Sequence, residues 1–122
     1  MVVKESAENY LETILVLSMK NSSVRGVDIA NEMNFTKASI SVAMKRLREE
    51  NYIIVDQDGN ISLTDAGKII ATRVYDRHQT IAKMLMALGV DEKTAYEDSC
   101  KIEHDLSEKS FEKIKEHYHK YI

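Results

Sequence analysis

At Tyr52 the hydrophobic pattern of this 122-residue chain changes period. Before and after that point apolar residues recur three and four apart, as on helices. Between them, Tyr52-Ile53-Ile54-Val55 and Ile61-Ser62-Leu63 are β-like segments flanking Asp56-Gln57-Asp58-Gly59-Asn60. Asp-Gly suits a hairpin turn, because glycine takes a positive φ at no steric cost. Just upstream, Thr36 can cap a helix running to about Glu50, with Ile40, Met44 and Leu47 facing inward. A shorter helix over residues 27–33 precedes it, separated by Asn34-Phe35. A short helix, a tight connection and a second helix followed at once by a two-stranded ribbon is the layout of a winged helix-turn-helix. In that layout the second of the paired helices lies in the major groove of DNA, about 12 Å wide, and the ribbon reaches the flanking backbone.

The rest of the chain reads as helix. An amphipathic first helix over 6–19 carries Ala7, Leu11, Ile14, Leu15 and Leu17 at helical spacing. Thr64 caps a long helix over about 65–88, which Gly89 ends, and helices over roughly 91–105 and 107–120 follow, the last capped by Ser107. The expected fold is mainly α: a winged helix-turn-helix DNA-binding domain over 1–72, then an all-helical domain over 73–122, sharing the long helix. No apolar run approaches the ~20 residues that span a bilayer, and no secretory pattern opens the chain. One cysteine, Cys100, excludes an internal disulfide framework and suits a reducing compartment. A cytoplasmic protein without a membrane partner is therefore expected.

The net charge of −3 at first opposes nucleic-acid binding, but the charge is not evenly spread. From Thr36 to Arg48 the charged residues are Lys37, Lys45, Arg46 and Arg48, with no acid among them. From Gly89 onward nine acids face six lysines. The field at the contact face matters more than the total. The candidate DNA-reading residues are Arg25, Thr36, Lys37, Ala38, Ser39, Ser41, Val42, Lys45 and Arg46. Hydroxyls serve phosphates and base edges alike, and Val42 suits a thymine methyl group. The competing reading of Lys45, Arg46 and Arg48 is a solvated helix face; the adjoining ribbon favours DNA. No nucleotide-binding glycine loop or nucleophile motif is present.

The acidic half carries Cys100-Lys101-Ile102-Glu103-His104. On a helix, positions i, i+3 and i+4 share a face, so thiol, carboxylate and imidazole can converge on a divalent transition metal. His78 falls on the apolar stripe of the long helix, where it is either a core histidine or a further ligand, and Asn9 and Glu12 share a face of the first helix. Cys100 can equally be an inert buried thiol.

Taken together, Ser6-Ala7-Glu8-Asn9-Tyr10-Leu11-Glu12, Val27-Asp28-Ile29-Ala30, Leu63-Thr64-Asp65-Ala66-Gly67, Arg77-His78 and Cys100-Lys101-Ile102-Glu103-His104-Asp105-Leu106-Ser107 resemble the diphtheria toxin repressor and manganese transport regulator family. The likeness covers nearly the whole chain. It implies a homodimeric, metal-dependent repressor that binds a palindromic operator in double-stranded DNA and controls metal-homeostasis genes. It also implies that the first, long and fifth helices meet around the metal, and that the last two helices form most of the dimer interface.

The ligand set implied by the resemblance is Asn9, Glu12, His78, Cys100, Glu103 and His104. Glu103 and His104 match both branches of the family, Cys100 the iron-responsive branch and Glu12 the manganese-responsive one. Asn9 stands where manganese sensors carry aspartate and iron sensors methionine. Ala82 and Tyr96 replace two ligands of the iron branch's ancillary site, and the SH3-like third domain of longer members is not expected. The thiol favours Fe(II), with Mn(II) next and Zn(II) or Co(II) binding in vitro by affinity alone. Metal is expected to neutralise mutually repelling acids and tie the first helix to the fifth, shifting the population of DNA-competent dimers. The rival readings are a winged-helix regulator answering a non-metal signal and a small metalloenzyme. Against the enzyme stand the short chain, the closed ligand set and the half of the sequence given to reading DNA.

Overall fold

The computed structural model describes residues 5–121. Among them lie six helices and one two-stranded antiparallel sheet: α1 (Glu5–Lys20), α2 (Gly26–Met33), α3 (Lys37–Glu49), β1 (Ile53–Val55), β2 (Ile61–Leu63), α4 (Asp65–Ala87), α5 (Glu92–Ile102) and α6 (Glu108–Tyr121). None of these helices is long and apolar enough to cross a membrane. The chain divides between Arg73 and Val74 into two compact units.

In the first unit each helix buries one stripe. Leu11, Ile14 and Leu17 from α1, Ile29 and Ala30 from α2, and Ile40, Met44 and Leu47 from α3 are all buried, with Ile53, Ile61, Ile70 and Ala71 joining them. This i, i+3, i+4, i+7 recurrence is what a helix needs to lay one face on a core. Thr36 caps α3 by accepting the Ser39 N–H at 3.1 Å. The connections after α2 and α3 each turn on an asparagine with positive φ, Asn34 at 57° and Asn51 at 65°. Each is followed by a bond across the helix end, Phe35 N–H to Ala30 O and Tyr52 N–H to Leu47 O, both 3.0 Å.

The sheet pairs Ile53 with Leu63, Ile54 with Ser62 and Val55 with Ile61. Ile61 N–H also donates to Val24 O at 2.7 Å, fastening the ribbon to the loop before α2. Gly59 takes the expected positive φ of 83°. The five-residue tip is organised by Asp56, however, whose Oδ1 accepts the N–H groups of Asp58 and Asn60, each at 2.9 Å. Those bonds, led by the one from Asn60, hold the Asp56 carboxyl below its ordinary value.

At the junction from β2 to α4, the Thr64 hydroxyl donates to Asn51 O at 2.7 Å and accepts Gly67 N–H at 3.1 Å. Gly67 is required by close approach: a Cβ there would sit 2.1 Å from the Tyr52 carbonyl oxygen.

In the second unit, Val74, Ile81, Ala82, Ala95 and Phe111 are buried, together with Ser99. Asp91 caps α5 by accepting Thr94 N–H at 3.0 Å, which keeps its own carboxyl below the usual range. The fifth helix ends at Ile102, three residues earlier than the spacing predicts. There Asp105 and Leu106 both donate to Ile102 O, at 3.0 and 3.2 Å, closing a tight turn. Ser107 then restarts the chain as α6, accepting Ser110 N–H at 3.1 Å. Capping by Ser107 needs a non-helical residue, so the two helices cannot merge.

Candidate functional site

The first unit presents α3 as a two-sided element. Ile40, Met44 and Leu47 hold it to the core, while Lys37, Ala38, Ser39, Ser41, Val42, Lys45, Arg46 and Arg48 are exposed on the opposite side. Val42 is 67% exposed, a large solvent face for a β-branched residue and the right chemistry for a thymine methyl. The Thr36 hydroxyl, besides capping, donates to Ser39 Oγ at 2.9 Å. Arg25 is exposed and its Nε donates to Asn60 Oδ1 at 3.4 Å, linking the start of α2 to the ribbon tip.

A groove runs between α3 and the ribbon, lined by Lys37, Lys45 and Arg48 on one side and by Val55, Gly59 and Ile61 on the other. The ribbon itself carries Asp56 and Asp58 and no lysine or arginine between Asn51 and Thr64. Cationic attraction for a phosphate backbone therefore comes from α3 and Arg25, and the ribbon offers backbone N–H groups and hydroxyls.

In the second unit, α4 positions His78 and the α5–α6 turn positions Glu103 and His104. Glu103 is the residue that ends α5; its N–H donates to Ser99 O at 3.0 Å. Its side chain is only 1% exposed. Removing an ionised carboxylate from water costs several kcal/mol unless positive charge compensates it. The His104 ring lies beside it, with Nε2 3.4 Å from Glu103 Oε1.

His78 is half-buried. Its Nε2 lies 3.1 Å from Tyr96 O, and its ring meets the Tyr96 ring edge-on at 5.6 Å. A carbonyl only accepts, so Nε2 carries a proton and donates to it, which leaves Nδ1 as the ring nitrogen able to serve as a ligand. Tyr96 is held in turn by its hydroxyl, which donates to Gln79 Oε1 at 2.9 Å, and by Ser99 Oγ, which donates to its carbonyl at 3.0 Å. This is how second-layer bonds set the tautomer and direction of a metal-binding imidazole. Ligand atoms of His78 and Glu103 lie within 4.8 Å of one another. With metal–ligand bonds of about 2.0–2.2 Å, donors this near one another are of a kind and spacing that suit one divalent ion.

Of the other ligand candidates, Cys100 is half-buried on α5, and His104 leaves from the turn instead of continuing the helical face of Cys100 and Glu103. Glu12 on α1 is buried at 8% exposure beside Leu11. Asn9 is half-buried and its carbonyl accepts the Thr13 hydroxyl at 2.8 Å. Sequence reasoning passed over Tyr96 as an orienting group, because a backbone carbonyl leaves no mark in residue identity. It also treated Arg77 only as part of a motif.

A family model described as the iron dependent repressor N-terminal DNA binding domain matches residues 3–61. Another, described as the iron dependent repressor metal binding and dimerisation domain, matches residues 64–121. An uncharacterised HTH-type transcriptional regulator of Methanocaldococcus jannaschii is 34% identical over 115 residues, 93% of this chain and 92% of that protein. The HTH-type transcriptional regulator MntR of Bacillus subtilis is 33% identical over 109 residues, 89% of this chain and 77% of that one. The solved structure of the manganese regulator SloR superposes with a TM-score of 0.79 at 26% identity, covering 95% of this chain. The chain spans about half of that longer protein, 54% of its length.

Proposed function

The chain belongs to the iron dependent repressor family of metal-dependent, DNA-binding transcriptional repressors, which are not enzymes, and from that premise we propose that it acts in the cytoplasm as a homodimeric repressor. It reads a palindromic operator with α3, responds to Fe(II) in preference to Mn(II), and controls genes of metal homeostasis. The observation that carries the metal reading is the nearly inaccessible Glu103 carboxylate, whose ligand atoms come within 4.8 Å of those of His78.

The ligands assigned are Asn9, Glu12, His78, Cys100, Glu103 and His104, and the DNA contacts Arg25, Thr36, Lys37, Ala38, Ser39, Ser41, Val42, Lys45 and Arg46. A divalent cation supplies the positive charge that lets carboxylates remain ionised at low exposure. The rest is done by the chain itself. Tyr96 aims the imidazole and the turn after Ile102 presents Glu103. Cys100 biases the set toward Fe(II), because a thiolate prefers the softer ion and Fe(II) outranks Mn(II) on mixed N/O/S donors.

Support for the dimer comes from α6, whose only fully buried residue is Phe111 although Ile114 and Tyr118 extend the same stripe half-buried. Tyr121 at 65% and Ile102 at 37% exposure add apolar surface that a second copy would cover.

The test is anaerobic titration of wild-type protein and variants with Fe(II) and Mn(II), with uptake and dimer mass recorded. His78→Ala and Glu103→Gln should each weaken binding of both ions at least tenfold. Cys100→Ala should lower the Fe(II)/Mn(II) affinity ratio. Wild-type protein that takes up neither ion would refute the reading, and an unchanged ratio in Cys100→Ala would refute the iron preference.

A further inference from the structure

Arg77 stands one residue before His78 on α4, and consecutive side chains on a helix project about 100° apart. The two therefore grip different parts of the same surroundings. His78 meets the Tyr96 carbonyl on α5 at 3.1 Å. Arg77 turns to the segment that follows α5: its Nη2 donates to Leu106 O at 2.6 Å, and its Nη1 lies 3.7 Å from the Glu108 carboxylate. The guanidinium also stacks 5.1 Å from the centroid of the buried Phe111 ring. Its side chain is 12% exposed, low for a residue that is almost always at the surface unless it is paired.

The Leu106 carbonyl lies three residues beyond Glu103 and two beyond His104. The turn's own bonds, from Asp105 and Leu106 to Ile102 O, set its shape but not its position against α4. The Arg77 bond spans 29 residues of sequence and sets that position.

We infer that Arg77 is a positioning residue for the metal centre: it holds the α5–α6 turn against α4 so that the Glu103 carboxylate faces the His78 ring. This rests on the metal reading above. Arginine suits the task better than lysine, because a planar guanidinium donates in its plane to the carbonyl while presenting its face to the ring. Its bonds to Leu106 and Glu108 act on the metal centre through the turn.

The experiment compares wild-type protein with Arg77→Met, which keeps the stem over Phe111 but removes the donors, and Arg77→Lys, which restores one donor and the charge. Mn(II) affinity is read from the EPR signal of the free ion. Ligand geometry is read from the visible spectrum of the Co(II) form, and folding from melting of the metal-free protein. The inference predicts that Arg77→Met melts close to wild type without metal, binds Mn(II) about 10–100-fold more weakly and shows an altered Co(II) spectrum, with partial recovery in Arg77→Lys. Unchanged affinity and spectrum in folded Arg77→Met would overturn it. Failure of both variants to fold would make Arg77 a purely structural residue, which also overturns it. Wild-type protein that binds no Mn(II) would instead bring down the metal reading on which it rests.

Discussion

Two residues show how far identity alone predicts environment. Gly67 has helical neighbours on both sides and nothing in its spacing marks it as special, yet a Cβ at that position would lie 2.1 Å from Tyr52 O. The obstacle is backbone, already engaged by Thr64 N–H at 3.1 Å, so it cannot swing aside like a side chain. Gly67→Ala should therefore cost about 3 kcal/mol and lower the melting temperature by roughly 10 °C, as read by calorimetry. A variant that melts with the wild type would contradict the close approach. Asp56 is the second case. Its pKa is lowered from 3.8, first by the Asn60 N–H bond, so the folded tip favours the ionised form. That contribution is present above the unfolded value and lost as pH falls through the lower folded value. In NMR titrations the Asp58 and Asn60 amide signals should move together with a midpoint below 3.8; a midpoint at or above it would remove the clasp. Neither residue's role was visible in composition or period, because each depends on where a distant or looping backbone group ends up.

At the scale of elements, legibility follows chemistry that is local. Thr36, Thr64 and Ser107 were readable as caps because a short hydroxyl ahead of a periodic run satisfies helix N–H groups wherever it occurs, and each accepts the expected bond. Gly59 and Gly89 were readable as positive-φ positions and adopt 83° and 103°. The period change at Tyr52 marked the ribbon to within a residue. By contrast, the spacing of Cys100, Glu103 and His104 suggested one unbroken helix to 105, and α5 stops at Ile102. Periodicity reports that residues can share a face; it does not report that Asp105 and Leu106 turn back onto Ile102 O, that Arg77 takes the Leu106 carbonyl, or that Ser107 starts a new helix by capping Ser110 N–H. His104 therefore sits beyond the helix end, beside Glu103. The asparagine turns at Asn34 and Asn51 were also passed over, although asparagine is the residue other than glycine that best tolerates a left-handed backbone.

For the molecule as a whole, charge is unevenly spread along the sequence, and each half matches a domain of one family. The charge asymmetry was plain in the sequence: cations without acids on α3, and nine acids against six lysines after Gly89. What sequence could not supply was the compensation of that acidity. Glu103 is nearly inaccessible and lies near an imidazole whose Nε2 is engaged by the Tyr96 carbonyl. A carboxylate held this way gains most from a bound cation, which makes metal occupancy and DNA binding linked equilibria in the proposed repressor. The most direct test is selection of the purified protein on a random duplex library, carried out in parallel with Mn(II), with anaerobic Fe(II) and with chelator. Two inverted half-sites should be enriched with either ion, and the selected duplex should be released when chelator is added. Enrichment of the same duplex in chelator, or its retention at equal affinity without metal, would contradict metal-dependent repression.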